Sequence, residues 1–205
     1  MLPTRTTSWV RFAVGLWVTV VATGFALWAR YDTTPGPAVT STDALVPTAD
    51  GRWTITMFLH PRCPCSAASL HELNRLVADS PIPLTVRVLF VRPEGAVEGW
   101  ERTKLWDAAI ILPDVKVATD PGGSEARRMG AMTSGHLALS DPTGRIRFRG
   151  GITVARGRIG DSDGRRAILS AISQENLFDA TAPTFGCALF RVDQCSSEPG
   201  AKCLP

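Results

Sequence analysis

The sequence carries little net charge: 22 lysines and arginines against 19 aspartates and glutamates leave +3 over 205 residues. The arginines are scattered rather than clustered, so they read as solvated surface and no nucleic-acid partner is expected. No internal repeat is present. Histidine is scarce, with only His60, His71 and His136. Asp161-Ser-Asp163-Gly164 has the opening of a calcium loop but lacks the later oxygen ligands and the closing Glu, which excludes an EF-hand. Gly150-Gly151 is weak as a phosphate cradle and reads as a turn or bulge. No cofactor is therefore expected.

What is present is an uneven set of five cysteines. Cys63 and Cys65 lie together, whereas Cys187, Cys195 and Cys203 fall within the last nineteen residues, eight apart. An odd number in an oxidising compartment leaves at least one thiol unpaired or shared.

Phe12 to Ala29 is an uncharged apolar run of 18 residues. As a helix it would span about 27 Å, close to the hydrocarbon thickness of a bilayer. Trp9 and Trp28 stand near its ends, where indoles favour the membrane interface. Arg5 and Arg11 precede it, which places the N-terminus in the cytoplasm and the rest of the chain outside. Three readings compete. An uncleaved anchor is favoured. A signal peptide would have only Leu27-Trp28-Ala29 as a poor cleavage site, and a buried core helix would show a polar stripe. Residues 1–11 are then a cytoplasmic N-terminus, 12–29 the anchor and 30–51 a linker rich in Thr, Pro, Ala and Asp. A folded domain is expected over 52–178 and a cysteine-containing tail over 179–205.

Within the domain, Trp53–Leu59, Leu84–Val91, Val115–Ala118, His136–Leu139 and Arg145–Phe148 read as strands. Helices are expected from Ser66 until Pro81 and Pro83, over Trp100–Ile111, over Ser124–Met129 with Ser124 as cap, and over Arg165–Ser173. Trp100, Leu105, Trp106 and Ala109 are the expected core of the second. Early strands alternate with helices and the last two are joined by Asp141-Pro-Thr-Gly144, a hairpin turn. An α/β fold follows, with a central mixed sheet and helices on both faces.

The segment that carries chemistry is Phe58-Leu-His-Pro-Arg-Cys63-Pro-Cys65-Ser66. A thiol at a helix N-terminus faces unpaired backbone N–H groups and the positive end of the macrodipole. Both favour the thiolate and make the cysteine reactive near neutral pH. Arg62 and His60 add positive charge. Redox chemistry, a metal site and a structural role all remain open. A turn crowded with proline and polar residues is a poor place for core cysteines, which favours the first.

This arrangement resembles the thioredoxin-like superfamily over roughly residues 52–175, in particular its membrane-anchored TlpA-like and RedB-like branches. The strand-turn-Cys-helix of 53–78 carries the likeness. So do Val117-Ala-Thr-Asp120 with Met129-Gly-Ala131, and His136-Leu-Ala-Leu-Ser-Asp-Pro-Thr-Gly-Arg-Ile146. Arg149-Gly-Gly-Ile-Thr153 and Phe185-Gly-Cys187 look RedB-like. The resemblance implies a thioredoxin-like fold with Cys63 at the nucleophile position. The family's resolving cysteine falls on Ser66, and its cis-proline falls on Gly135. Both departures set this chain apart from ordinary dithiol exchange. A Cys63–Cys65 disulfide would close a small, strained and therefore oxidising ring.

The expected function is that of an extracytoplasmic, single-pass, inner-membrane thiol–disulfide oxidoreductase facing the periplasm or cell exterior. Cys63 and Cys65 are its candidate catalytic residues: Cys63 attacks and Cys65 resolves, with a protein thiol or disulfide as partner. The alternative is a copper chaperone in which His60 and His136, which the resemblance places beside the site, join Cys63 and Cys65 around Cu(I) or zinc. A peroxide-reducing role would use Arg62, but the hydroxyl and proline spacing of that class is absent. Cys187 either belongs to a disulfide-stapled tail or reaches the site as a resolving thiol.

Overall fold

A computed structural model describes residues 4–37, 51–173 and 179–190. The chain divides into two compact units, 1–34 and 35–205. The first is a single helix, α1 (Thr4–Thr33). Within it, Ser8–Thr33 has a mean hydropathy of 1.8 and is long and apolar enough to cross a membrane. Trp9, Phe12, Trp17, Phe25 and Trp28 are all exposed along it. The helix runs past the expected 12–29 at both ends, since its flanking Thr and Ser residues tolerate helix and the hydroxyl of Thr33 bonds back to the carbonyl of Ala29.

The second unit is an α/β domain. Its elements are β1 (Thr54–Leu59), α2 (Ser66–Ala78), β2 (Thr85–Arg92), α3 (Lys104–Ile110), β3 (Val115–Pro121), α4 (Ser124–Arg128), β4 (His136–Ser140), β5 (Ile146–Gly150), α5 (Asp163–Ile172) and β6 (Ala180–Ala182). The strands form one sheet in the order β3-β2-β1-β4-β5-β6. β1, β2 and β3 are parallel. β4 runs antiparallel to β1, pairing His136 with Phe58, and β5 returns antiparallel to β4. β1 is buried at every residue, as its unbroken apolar pattern requires of a central strand.

Alternation along the strands makes two cores. Ile55, Met57 and Leu59 pack with Leu70, Leu73 and Leu76 of α2, Trp106 of α3 and Ile168 of α5. Phe58, Leu89 and Ala138 face the other way, toward Ala126 of α4, Met129, Met132, Leu189 and Phe190.

Three expectations need correction. Trp100–Thr103 is not helical. Gly99 takes φ +80° and the chain turns there, with Arg102 donating to the Gly99 carbonyl, so α3 begins at Lys104. Trp100 is accordingly half-exposed rather than core. Ser124 does not cap α4. The carboxylate of Asp120 does so instead, accepting from the N–H groups of Glu125 (3.0 Å) and Ala126 (2.8 Å). β6 was not expected at all. It pairs parallel with β5, and a Cβ at Gly150 would overlap the Ala182 carbonyl, so this close approach requires glycine.

Candidate functional site

β1 ends at Leu59 and the chain turns through His60–Cys65 before α2. Cys63 donates its N–H to the His60 carbonyl (3.1 Å), and Ser66 donates to the Cys63 carbonyl (3.2 Å). Cys65 is the N-cap of α2, without a side-chain capping bond. Cys63 therefore stands two residues ahead of the cap. Cys63 is buried at 4% exposure, while Cys65 is half-buried.

A third thiol completes the group. The sulfurs of Cys63, Cys65 and Cys187 all lie within 4.8 Å of one another. Cys63 Sγ and Cys187 Sγ are 2.8 Å apart. Cys187 is held there by backbone contacts. Ser134 donates its N–H to the Cys187 carbonyl (2.8 Å), Leu189 donates to the Met132 carbonyl (2.9 Å), and Thr133 bridges Ala188. A Cβ at Gly186 would overlap the Ser134 carbonyl, so the segment lies directly on the 132–135 loop.

That loop also supports the cysteine turn. The Ser134 hydroxyl accepts from the N–H of His60 at 2.8 Å and lies 2.8 Å from the Ser66 hydroxyl. Gly135 donates to the Phe58 carbonyl (2.8 Å) and holds φ +91°, with Ser69 Oγ 2.6 Å from where a Cβ would stand. The position that the family resemblance gives to cis-proline is thus a glycine in a left-handed conformation. Gly157 also borders the site: a Cβ there would stand 3.9 Å from Cys65 Cα and 4.0 Å from its Sγ. This loop is tied to α2 because buried Glu72 accepts from the N–H of Gly160 (2.8 Å) and from Arg75 (3.1 Å). Arg156 of the same loop donates to the Gly186 carbonyl, next to Cys187.

The three thiols are not equivalent. Burial pushes Cys63 up, but hydrogen bonds to its sulfur from Cys187, from Ser66 and from the backbone of Cys187 and Cys65 outweigh it, leaving Cys63 below the ordinary cysteine range. Cys65 is raised by burial and then by the charge of Cys63, with Arg156 opposing. Cys187 is pushed up to about 12 by burial, then by its hydrogen bond to Cys63 and the charges of Cys63 and Cys65. Of the three, Cys63 is the sulfur whose thiolate is favoured, with the Cys187 thiol at hydrogen-bond distance.

The histidines do not complete a metal set. His60 turns its Nδ1 to the Arg62 N–H (3.2 Å) and its ring to Trp100, 5.7 Å between centroids. Burial and then Arg62 lower its pKa. His136 is buried on β4 beside Phe58, and its Nε2 has no partner among the described residues. The ligand atoms that converge are the three sulfurs, so the expected set of His60, Cys63, Cys65 and His136 gives way to Cys63, Cys65 and Cys187. His71 is an exposed side chain beside Glu72. Cys195 and Cys203 lie outside the described residues.

Sequence reasoning did not single out Ser134, Arg156 or the platform formed by Arg62 over Trp100, 4.5 Å from the ring centroid. Thr103 fixes that platform by donating to the Pro61 carbonyl (2.9 Å). The signal available for Ser134 was its place beside Gly135, at the family's proline position.

No protein-family model and no curated protein matches the sequence. Among solved structures the chain is similar to a hypothetical protein from Sinorhizobium meliloti, at 18% identity over 77% of this chain and 96% of that one, with a TM-score of 0.55. It is similar to an uncharacterized conserved protein from Geobacillus kaustophilus, at 18% identity over 77% and 90% of the two chains, with a TM-score of 0.56. A weaker likeness, with a TM-score of 0.43 and 16% identity over 62% and 82%, is to dsbF of MTB in mixed oxidised and reduced forms. The class defined by the sheet order and the helices is an α/β domain of thioredoxin-like fold. It is preceded by one apolar helix of the length of a signal or anchor.

Proposed function

We propose that the protein is a membrane-anchored, extracytoplasmic thiol–disulfide oxidoreductase of the TlpA/RedB-like kind, with Cys63 as nucleophile and Cys65 in the same thiol centre. α1 serves as the anchor, and the catalytic domain, which faces the periplasm or cell exterior, extends past the expected end at 178 to take in β6 and Cys187. The observation that carries this reading is the 2.8 Å approach of Cys63 to a second thiol at the strand-to-helix junction of a thioredoxin-like fold. A thiolate with a thiol at hydrogen-bond distance is what disulfide exchange requires: one sulfur to attack and another to displace the product. The partner is a protein thiol or disulfide. Cys63→Ser should abolish exchange between the full-length protein and a small disulfide such as oxidised glutathione. Undiminished exchange in that variant would remove Cys63 from the chemistry.

A second reading is favoured by the three sulfurs within 4.8 Å of one another. Thiolates are soft ligands suited to Cu(I) or zinc, and such a set would suit a metal chaperone. Metal analysis of protein purified without added metal separates the two. Stoichiometric copper or zinc, with all three thiols protected from alkylation, would favour the chaperone.

A further inference from the structure

In the thioredoxin-like superfamily that the sequence resembles, the second thiol falls three residues after the first, here Cys63. Ser66 occupies that place, and a hydroxyl cannot form a disulfide. Its Oγ is instead paired with Ser134 at 2.8 Å. Cys65 is adjacent in sequence, but a bridge from it to Cys63 closes a ring with only Pro64 between, and such geometry is strained. Cys187 has neither restriction. It approaches Cys63 from a separate segment, 124 positions further along the chain, and its sulfur stands at 2.8 Å. The segment is anchored at Ser134, Met132 and Thr133, the loop that also holds the cysteine turn. Nucleophile and approaching thiol thus share one support.

We propose that Cys187, rather than Cys65, is the resolving thiol of this centre, and that the oxidised protein carries a Cys63–Cys187 disulfide with Cys65 left as a free thiol. The proposal rests on the oxidoreductase reading. In the reducing direction, the Cys63 thiolate attacks one sulfur of the substrate disulfide. The substrate S–S bond breaks, a Cys63–substrate S–S bond forms, and the first substrate sulfur leaves as a thiolate. The Cys187 sulfur then attacks Cys63 Sγ. The mixed disulfide breaks, the Cys63–Cys187 bond forms, and the second substrate sulfur leaves. The proton of Cys187 ends on a departing substrate sulfur. The substrate gains two electrons and the protein dithiol loses two. The steps reversed oxidise a substrate dithiol.

The electrostatics order these steps. While Cys63 is a thiolate, burial and then the hydrogen bond to Cys63 and its charge hold the proton on Cys187. Once Cys63 enters a mixed disulfide, that charge is gone, and the positive field of Arg156, which already favours the Cys187 thiolate, is no longer opposed by it. Arg156 is a positioning residue here, through its bond to the Gly186 carbonyl. The Cys187 thiolate is therefore more favoured in the mixed disulfide than before it, with burial still opposing it.

The test uses full-length protein in detergent, reduced, freed of reductant and treated with oxidised glutathione. Acid-quenched samples are alkylated and mapped by peptide mass spectrometry. Wild type should yield a Cys63–Cys187 cross-link with Cys65 alkylated. Cys187→Ser should retain glutathione on Cys63 at least tenfold longer than wild type, whereas Cys65→Ser should match wild type. A Cys63–Cys65 bridge in wild type, with glutathione trapped by Cys65→Ser instead, would overturn the assignment while leaving the oxidoreductase reading intact. Failure of glutathione to appear on Cys63 in any of the three proteins, with no disulfide formed, would overturn both. The wild-type map stands even if a variant folds poorly.

Discussion

The backbone N–H of Ser134 donates to the carbonyl of Cys187 at 2.8 Å, and the side chain of the same serine accepts from the N–H of His60. One residue therefore touches both segments that deliver sulfur to the site. The relative position of Cys63 and Cys187 depends on a short stretch of loop rather than on the sheet alone.

Gly186 is the sensitive point of that stretch. Gly186→Ala would drive a Cβ into the Ser134 carbonyl, and relieving such an overlap costs about 1–3 kcal/mol. The expected outcome is a lower thermal midpoint together with slower exchange, while Cys63 remains alkylatable. Exchange at the wild-type rate would show that the clamp does not set the thiol geometry.

Cys63 should be the first thiol alkylated at neutral pH. Its sulfur is the one held below the ordinary range, whereas Cys65 and Cys187 are raised. A small reagent is needed because Cys63 is buried. Removing the donor in Cys187→Ala should slow alkylation of Cys63 at pH 7 several-fold, and Cys187→Ser, which keeps a hydroxyl, should slow it less. Preferential labelling of Cys65 in wild type would move the nucleophile along the chain.

His136 should make the fold acid-sensitive. Burial, then the charge of Arg149, lowers its pKa to about 4. Between that value and about 6.5, the unfolded chain takes up a proton that the folded chain refuses. Stability is therefore full above the unfolded value and falls as pH drops through the window, by on the order of 3 kcal/mol at its end. The difference in urea midpoint between wild type and His136→Leu should change with pH across this window and stay constant above it, which separates the histidine from carboxylates common to both proteins. An unchanging difference would place the acid sensitivity elsewhere.

Orientation is checked by fusions after Pro205. A reporter active only outside the cytoplasm should work there, and one active only inside should be silent. The opposite pattern would put the cysteines in a reducing compartment.

Much of the domain was legible because its patterns are local. The apolar run of β1, the prolines after α2 and the Asp141-to-Gly144 hairpin each announce themselves over a few residues. Cys63 was legible for the same reason, since strand, turn and helix are contiguous around it. Cys187 was not decided by sequence. Its approach rests on backbone bonds to residues 132–134 in a segment with almost no regular structure, and no periodicity encodes such a docking. α4 shows a smaller version of the problem: Ser124 has the composition of a cap, but Asp120, at the end of β3, reaches the same N–H groups first.

The 124 positions separating Cys63 from Cys187 give their bond a mechanical meaning beyond chemistry. In thioredoxin-like proteins with neighbouring cysteines, oxidation closes a loop of a few residues and leaves the unfolded chain nearly as free as before. Here it would gather most of the domain into one covalent circle, and the loss of chain entropy in the unfolded state is worth about 5 kcal/mol by the loop-length relation. The electrons held at the site and the resistance of the whole domain to unfolding would then be two readings of one quantity. A reductant would loosen the protein as it charged it.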